Sequence, residues 1–357
     1  MTRDSYQTIE RMAYEAVELL KELIAIPSIS REETKAADRL EAFMTEKGLK
    51  THREGNNIWT MNEPLDSNKP TLLLNAHIDT VKPAASWQHD PFTPAVEDGK
   101  LYGLGSNDCG GGLVSLLQAY RILKDHNLPY NLVYLASAEE EVSGKDGISR
   151  VIPLLPTIDV AIVGEPTSMQ PAIAEKGLMV IDAVAHGKSG HAARDEGENA
   201  IYIALDDIEW IRNHKFRNKS ELLGDTKMTV TVAHAGTQHN VIPDTCEFTI
   251  DVRTNEHYQN EFLFVYLQKH LKSELKARSF RLSSSSIPID HPLVRKCIEM
   301  GMKPFGSPTL SDQALMPWQS LKLGPGQSSR SHSADEYIRI SEIEDAIGTY
   351  IRLIEEI

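Results

Sequence analysis

Apolar residues recur along this chain at two different spacings, which predict helices and strands in turn. Near the amino terminus the spacing is that of one helical face: Ala13, Val17, Leu20 and Ile24. A second helical segment follows and ends where Gly48 fits a C-cap. The segments TLLLNA, NLVYLASA and DVAIVG are instead short continuous apolar runs. Such runs are typical of parallel strands covered by helices on both faces, so they predict an α/β layer.

After Glu175 the apolar residues alternate with polar ones, as in half-exposed antiparallel strands. The segments follow the order β-α-β-β-α-β, which is the order of a ferredoxin-like domain. The chain then returns to a helical pattern at DHPLVRKCIEMGM. We therefore expect an α/β/α domain with a mostly parallel central sheet, formed by residues 1–176 and 287–357. A ferredoxin-like domain, residues 177–286, is expected to interrupt it.

Composition narrows the possible partners and the location. The chain has 357 residues, enough for two domains, and a formal net charge of −14 without a polybasic run. This charge argues against nucleic acid as a partner and favours a small molecule. Three cysteines without a CxxC motif suit a reducing compartment. The sequence shows no signal peptide or membrane-length apolar run, so we expect a cytoplasmic protein without a membrane partner.

Imidazole and carboxylate side chains follow the apolar runs or lie in turns, which makes them candidate metal ligands. They are His77, Asp79, Asp108, Glu139, Glu140, Glu165 and His332. Taken singly, each is better explained as an ordinary polar residue, for example one that ends a strand, caps a helix or belongs to a solvated charge run. Taken jointly, they form a nitrogen and oxygen donor set that suits Zn²⁺ or a similar ion with open positions for water.

Spacing within two of these clusters suggests a division of roles. His77 and Asp79 are two residues apart, so on an extended strand they face the same side and the carboxylate can support the ring. Glu139 and Glu140 are adjacent, so on a strand they face opposite sides. One of them can then bind metal while the other carries a proton.

Six motifs together resemble the M20 family of metallopeptidases and amidohydrolases. They are HID at 77–79, GSND at 105–108, the glutamates at 139–140, GEPT at 164–167, SGHAA at 189–193 and SHSADEY at 331–337. The resemblance extends from about Leu20 to the end and is nearest to the deacetylases and desuccinylases of that family. It implies a catalytic α/β domain split by a lid domain through which the chain forms a homodimer.

The resemblance also implies two divalent ions, Zn²⁺ or alternatively Co²⁺, and assigns their ligands. Asp108 would bridge both ions. His77 and Glu165 would complete one site, and Glu140 and His332 the other. A cis peptide bond is expected between Asp108 and the following cysteine.

The remaining roles implied by the resemblance concern catalysis and the substrate. Glu139 would be the general base, Asp79 would orient the ligand histidine, and His191 would stabilise the oxyanion from the lid. Arg253 and Asn240 would hold the substrate.

The reaction implied is removal of an acyl group from an N-acyl amino acid. N-acetylornithine, or a related N-acetyl or N-succinyl ornithine or citrulline of arginine biosynthesis, is the expected substrate. Three alternatives stay open: hydrolysis of succinyl-diaminopimelate, a dipeptidase or carboxypeptidase on the same scaffold, and a metal-binding dimeric scaffold without catalysis.

Overall fold

The chain divides into two compact units in a computed structural model that describes residues 3–194 and 196–357. The first unit comprises the residues up to Ile173, Ile287–Phe305 and Ser311–Ile357. The second comprises Ala174–Ser286 and Gly306–Leu310. The short segment from Gly306 was expected in the first domain. It packs so closely on the second unit that a Cβ atom on Gly306 would lie 2.4 Å from the carbonyl oxygen of Leu222.

The first part of the chain alternates helices and strands. In chain order its elements are α1 (Arg3–Ile24), α2 (Thr34–Glu46), β1 (His52–Glu54), β2 (Asn57–Met61), β3 (Thr71–His77), β4 (Ala95–Glu97), β5 (Lys100–Tyr102), α3 (Gly111–Leu123), β6 (Asn131–Ser137), α4 (Ile148–Val151), β7 (Val160–Val163) and β8 (Ala172–Glu175). Gly48, with φ +77°, follows α2 as a C-cap glycine does.

The second unit follows with β9 (Gly177–His186), β10 (Gly190–His191), α5 (Ala200–Asn213), β11 (Lys227–Ala235), β12 (Val241–Ile242), β13 (Thr245–Thr254), α6 (Asn260–His270), β14 (Glu274–Ala277) and β15 (Ser285–Ser286). The chain ends with α7 (Pro292–Glu299), β16 (Phe305–Ser307), β17 (Gln319–Lys322), β18 (Tyr337–Arg339) and α8 (Ile340–Glu355). Among the described residues, no helix combines the length and apolar character needed to cross a membrane.

The central sheet of the first unit is parallel in its middle. Strands β6, β3, β7 and β17 lie side by side and run in parallel, while β2 and β8 pair antiparallel at either side. Every residue of β3 and β6 is buried. Leu72 and Leu74 pack into the core with α1, α3 and α8, whereas Leu73 joins a smaller cluster on the opposite face with Ile148 of α4. The predicted α/β class with a mostly parallel central sheet is thus confirmed.

Parallel pairing brings the carboxyl ends of β3, β6 and β7 to one edge of this sheet. His77, the last residue of β3, pairs with Ser137, the last residue of β6. Val163 ends β7 opposite Asn75 of β3. The loops that follow these strands therefore emerge next to one another, which is where α/β proteins place their ligand sites.

The second unit is a four-stranded antiparallel sheet with the strand order β11-β13-β9-β14. Alternate residues of β9 and β13, such as Ile181 and Ile250, pack into one core with Leu263 of α6 and Ala204 of α5. The chain order of these elements is the predicted β-α-β-β-α-β. Strand β11 lies at the edge of the sheet, and β10 and β12 form a separate two-stranded ribbon.

Candidate metal centre

Loops and strand ends of the first unit carry every predicted metal ligand. His77 ends β3, and Glu165 follows β7 after one glycine. Asp108 lies in a tight turn that leads into α3, and the peptide bond after it is cis, as expected. His332, with φ +58°, lies in the turn before β18.

Asp108 lies between the two histidines and presents one oxygen to each. Its Oδ1 is 3.2 Å from His77 Nε2, and its Oδ2 is 3.6 Å from His332 Nε2. Its side chain is 10% exposed, so the carboxylate is largely removed from water. A carboxylate whose two oxygens face two different imidazoles has the arrangement needed to bridge two cations.

His77 heads the first group of donors. Its Nε2 lies 3.6 Å from Glu165 Oε1 and 3.8 Å from Glu140 Oε2. Its Nδ1 is 2.9 Å from the carbonyl oxygen of Asp79, which can only accept, so Nδ1 carries the proton. The lone pair of the neutral ring is therefore on Nε2, the atom that faces the carboxylates.

His332 heads the second group. Its Nε2 lies 2.9 and 3.1 Å from the two oxygens of Glu141. One donor atom each from Asp108, Glu141 and His332 lies within 4.8 Å of the others. The glutamate beside this histidine is therefore Glu141, which the sequence analysis did not assign.

Glu139 has different surroundings from the two glutamates that follow it. Its Oε2 accepts a hydrogen bond from the backbone nitrogen of Asp146, 3.4 Å away. A Cβ atom on Gly144 would lie 1.7 Å from that same oxygen and 2.5 Å from the Cβ atom of Glu139, so a side chain does not fit there. Glu139 thus lies against the loop at 144–146 and belongs to none of the donor groups found in the described part of the chain.

The glutamates are therefore displaced by one position from the expected arrangement. Glu140 was expected beside His332 and Glu139 at the reacting centre, because adjacent residues of a strand face opposite sides. Strand β6 ends at Ser137, however, and Glu139 has φ +54° and precedes a turn of 3-10 helix at Glu140–Val142. The alternation of a strand does not apply there. The structure brings Glu140 to His77 and Glu141 to His332.

Asp79 holds both of these glutamates through their backbone. Its Oδ1 accepts from the Glu140 nitrogen at 3.0 Å, and its Oδ2 accepts from the Glu141 nitrogen at 3.1 Å. The hydroxyl of Ser30 donates a third hydrogen bond at 2.7 Å. Its carboxylate also lies 3.5 Å from His77 Nδ1, where an orienting role was predicted. Asp79 therefore contacts both donor groups at once.

The electrostatics of the cluster favour bound cations. Burial, with the carboxylates of Glu165 and Asp312 nearby, raises the pKa of Glu140 well above its usual range. Burial and the charge of Asp108 raise the pKa of Glu165 to about 8. Among the described residues, Glu165 Oε1 is buried and has no hydrogen-bond partner. Close carboxylates with an unpaired oxygen and two imidazoles fit a pair of divalent cations.

A further buried carboxylate, which the sequence analysis did not single out, lies under the turn that carries Asp108. Glu336 is 2% exposed and accepts hydrogen bonds from the backbone nitrogens of Gly105, Asn107 and Asp108. Burial and the nearby charge of Asp108 raise its pKa to about 8. Its position in the SHSADEY motif was the only feature of the sequence that pointed to a role for Glu336 near the site.

The residues predicted to reach the substrate lie in the second unit. His191, on β10, pairs with Val241 of β12, and Asn240 accepts a backbone hydrogen bond from the residue after His191. These two residues therefore lie together on one ribbon. Arg253, on β13, makes two hydrogen bonds to Asp251, at 2.9 and 3.1 Å.

Comparison with known proteins identifies relatives along nearly the whole chain. The profile of Peptidase family M20/M25/M40 matches residues 73–356. The chain is 30% identical to an acetylornithine deacetylase of Proteus mirabilis, across 95% of this chain and 96% of the relative. It is 27% identical to a succinyl-diaminopimelate desuccinylase of Stenotrophomonas maltophilia, across 96% and 98%.

Solved structures share the fold at lower sequence identity. An aminopeptidase PepT from Bacillus cereus superimposes with a TM-score of 0.78 at 18% identity, covering 96% of this chain and 98% of that chain. A dinuclear metal-binding M20 peptidase from Bacillus subtilis superimposes with a TM-score of 0.73 at 15% identity, covering 98% and 100%. The chain therefore belongs to peptidase family M20/M25/M40, and the predicted class of a metal-dependent amidohydrolase is confirmed.

Proposed function

We propose that this chain removes the acyl group from an N-acyl amino acid, with N-acetylornithine as its preferred substrate, using two zinc ions. The observation that carries the proposal is the position of Asp108 between two imidazoles, with a different glutamate beside each imidazole. The names of the deacetylase and desuccinylase relatives support an acyl amino acid as the substrate class.

Each ion has a set of protein donors. We assign His77, Glu165 and Asp108 to one ion, and His332, Glu141 and Asp108 to the other. Nitrogen and oxygen donors in this number leave positions open for water and substrate, which suits zinc in a catalytic site. When bound, the ions polarise the amide carbonyl and lower the pKa of the attacking water.

Glu140 is the group that we assign as general base, in place of Glu139. Its Oε2 faces His77, and its side chain is 10% exposed, so it is buried but not sealed from the site. The carboxylate accepts a proton from the water as the water oxygen bonds to the amide carbon. It then delivers that proton to the amine nitrogen as the C–N bond breaks, so one side chain serves both transfers.

His191 is suited to donate a hydrogen bond to the oxyanion formed from the carbonyl. Its Nδ1 accepts a hydrogen bond from the backbone nitrogen of Ala193 at 3.1 Å, so the neutral ring carries its proton on Nε2. A donor aimed at the developing charge is worth more in the transition state than in the ground state. We propose Arg253 for the carboxylate of the substrate and Asn240 for its acyl group. The guanidinium of Arg253 already donates hydrogen bonds to Asp251, so it would have to bind the substrate carboxylate and Asp251 together.

A second copy of this chain is the partner that we propose, bound through the second unit. Among the described residues, β11 pairs on one side only, with β13, and most of its residues are exposed. The neighbouring helix α5 presents Tyr202 and Leu205, 67% and 56% exposed, and Val232 of β11 is 44% exposed. Apolar side chains beside an unpaired strand edge favour antiparallel pairing with an identical edge.

A substrate panel tests the proposed reaction. The purified chain is freed of metal, reloaded with Zn²⁺ or Co²⁺, and assayed on acetyl and succinyl derivatives of ornithine, citrulline, lysine and diaminopimelate, and on unblocked dipeptides. The highest kcat/KM is expected for N-acetylornithine. A preference for succinyl-diaminopimelate or for dipeptides would transfer the assignment to those substrates. Absence of hydrolysis across the panel by the metal-loaded chain would refute the proposal.

A further inference from the structure

We infer that Glu336 is a positioning residue that fixes Asp108 relative to His332 and so sets the second metal site. The inference rests on the proposed dinuclear centre and concerns a residue that would touch neither ion nor substrate. It is carried by hydrogen bonds between a buried carboxylate and the backbone of the turn that bears the bridging ligand.

Both oxygens of Glu336 are used to hold that turn. Oε1 accepts from the backbone nitrogens of Asn107 and Asp108, each at 2.8 Å, and Oε2 accepts from the nitrogen of Gly105 at 3.1 Å. Gly105 has φ +76°, a backbone conformation that favours glycine. Three bonds from one buried side chain thus define the shape of the turn.

The same side chain belongs to the segment that carries His332. Glu336 follows His332 by four residues, so its carboxylate joins the backbone of one ligand to the backbone of another. The neighbouring Asp335 anchors this segment to a different loop by accepting from the nitrogens of Gln88 and His89, at 3.0 and 2.9 Å. Together with the pairing of β18 on β5, Glu336 therefore ties the position of His332 to that of Asp108.

The first metal site is held by other contacts. His77 ends a fully buried strand, and its Nδ1 contacts Asp79. Glu165 follows the adjacent parallel strand. Neither of these contacts passes through Glu336, and only the shared Asp108 links it to this site. Loss of Glu336 is therefore expected to weaken binding of the ion at His332 more than binding of the ion at His77. A residue that only contributed to folding would weaken binding of both ions equally, or of neither.

A second link between the same two segments makes the inference testable by a double-mutant cycle. The side-chain nitrogen of Asn107 donates to the carbonyl oxygen of Gln327 at 3.0 Å, and its Oδ1 accepts from the Gln327 nitrogen at 2.9 Å. Asn107 and Glu336 are both expected to fix the distance between Asp108 and His332. The effects of Asn107→Ala and Glu336→Gln on the affinity for the ion at His332 will then not add.

The experiment uses the full chain and the variants Glu336→Gln and Glu336→Leu. Glutamine keeps an oxygen for Asn107 and Asp108, whereas leucine keeps no acceptor. Glu299→Gln, at a side chain 65% exposed on α7, is the matched control. The metal-free proteins are titrated with Zn²⁺ in a calorimeter. After loading with Mn²⁺, electron paramagnetic resonance distinguishes a coupled pair from isolated ions. Thermal melts establish that each variant is folded.

We expect Glu336→Gln to bind the ion at His332 about 10-fold to 100-fold more weakly than the wild type, the usual effect of an outer partner of a ligand, and to lose less affinity for the ion at His77. The coupled Mn²⁺ signal should give way to that of isolated ions, and kcat should fall with KM little changed. Leucine should be worse than glutamine, and Glu299→Gln should match the wild type.

Two unchanged affinities and a coupled signal in a folded Glu336→Gln protein would overturn the inference and leave the proposed metal centre standing. Equal weakening of both ions would overturn it as well, because Glu336 would then not act on one site. A wild-type chain that binds fewer than two ions would overturn the proposed centre itself.

Discussion

Replacing Asp79 with asparagine should disturb both donor groups, although this residue contacts them only through the backbone and one ring nitrogen. The carboxylate accepts three hydrogen bonds, from the nitrogens of Glu140 and Glu141 and from the hydroxyl of Ser30. Asparagine has a single acceptor oxygen and an amino group that donates. In either orientation of the amide, one of the two backbone N–H groups faces another donor.

The size of the effect follows from what is left unpaired. Asp79 is 1% exposed, so the orphaned N–H group has no access to water and costs about 1–3 kcal/mol. Relief of that cost requires the turn at 140–141 to shift, which moves the proposed base and the proposed ligand together. Outer partners of metal ligands contribute about 10-fold to 100-fold in affinity or activity. We therefore expect Asp79→Asn to lower the zinc affinity and kcat each by about 10-fold to 100-fold.

Zinc titration and steady-state kinetics measure these changes, and Ser30→Ala is the matched control. The serine variant removes one hydrogen bond to the same carboxylate, at a cost of about 1 kcal/mol, without orphaning either glutamate nitrogen. It should keep zinc affinity and kcat within a few-fold of the wild type. An Asp79→Asn protein with wild-type affinity and turnover would refute the claim that this carboxylate positions the two glutamates.

Three further predictions concern pH, the oxyanion and assembly. Burial raises the pKa of Glu165 and of Glu336 to about 8, above 4.5 for a free glutamate, so the folded metal-free chain retains protons that the unfolded chain releases. Its melting temperature after chelation should therefore fall as the pH rises from about 6 to 8, and Glu165→Gln should flatten that fall; a rise with pH would contradict the assignment. His191→Ala should lower kcat by about 10²-fold to 10³-fold while calorimetry still detects two bound zinc ions, and unchanged turnover would exclude it as the oxyanion donor. Val232→Lys at the edge of β11 should convert a dimer into monomers in light scattering with the melting temperature preserved, whereas a persistent dimer would place the interface elsewhere.

The hydrophobic pattern of the chain was sufficient to predict its fold class. The continuous apolar runs at 71–77 and 131–137 became β3 and β6, buried on both faces, because helices cover a parallel sheet from both sides. The switch to alternating residues after Glu175 marked an antiparallel sheet with one face packed on helices. Each pattern can be read from a few neighbouring residues. Continuous apolar runs indicate buried parallel strands, and alternation indicates half-exposed antiparallel strands.

The candidate site was predicted as a set but not in full detail. His77, Asp108 and His332 converge because strand ends and a glycine-rich turn bring them together, as their contexts indicated. The glutamate run was misread by one residue, because the strand ends at Ser137 and the turn that follows has its own geometry. Periodicity does not report where a strand stops within a polar run. Three successive glutamates look alike until their backbone conformation is known.

Supporting residues such as Glu336 and Ser30 have no recognisable spacing. Glu336 accepts from the backbone nitrogen of Asp108, 228 residues away in sequence, and the Ser30 hydroxyl donates to the carboxylate of Asp79, 49 residues away. Only the fold brings these groups together. A buried carboxylate that accepts backbone hydrogen bonds is therefore found from the structure, not from the chain.

Metal content and turnover of three single variants, Glu139→Gln, Glu140→Gln and Glu141→Gln, test the central assignment most directly. Each protein is loaded with zinc, freed of unbound ions, analysed for metal, and assayed on the best substrate of the panel. We predict that Glu141→Gln loses one ion, and that Glu140→Gln keeps two ions while turnover falls by at least about 10²-fold. Glu139→Gln should keep both ions and most of its activity. A Glu139→Gln protein that is inactive with two ions bound, beside a Glu140→Gln protein that has lost one, would contradict the account.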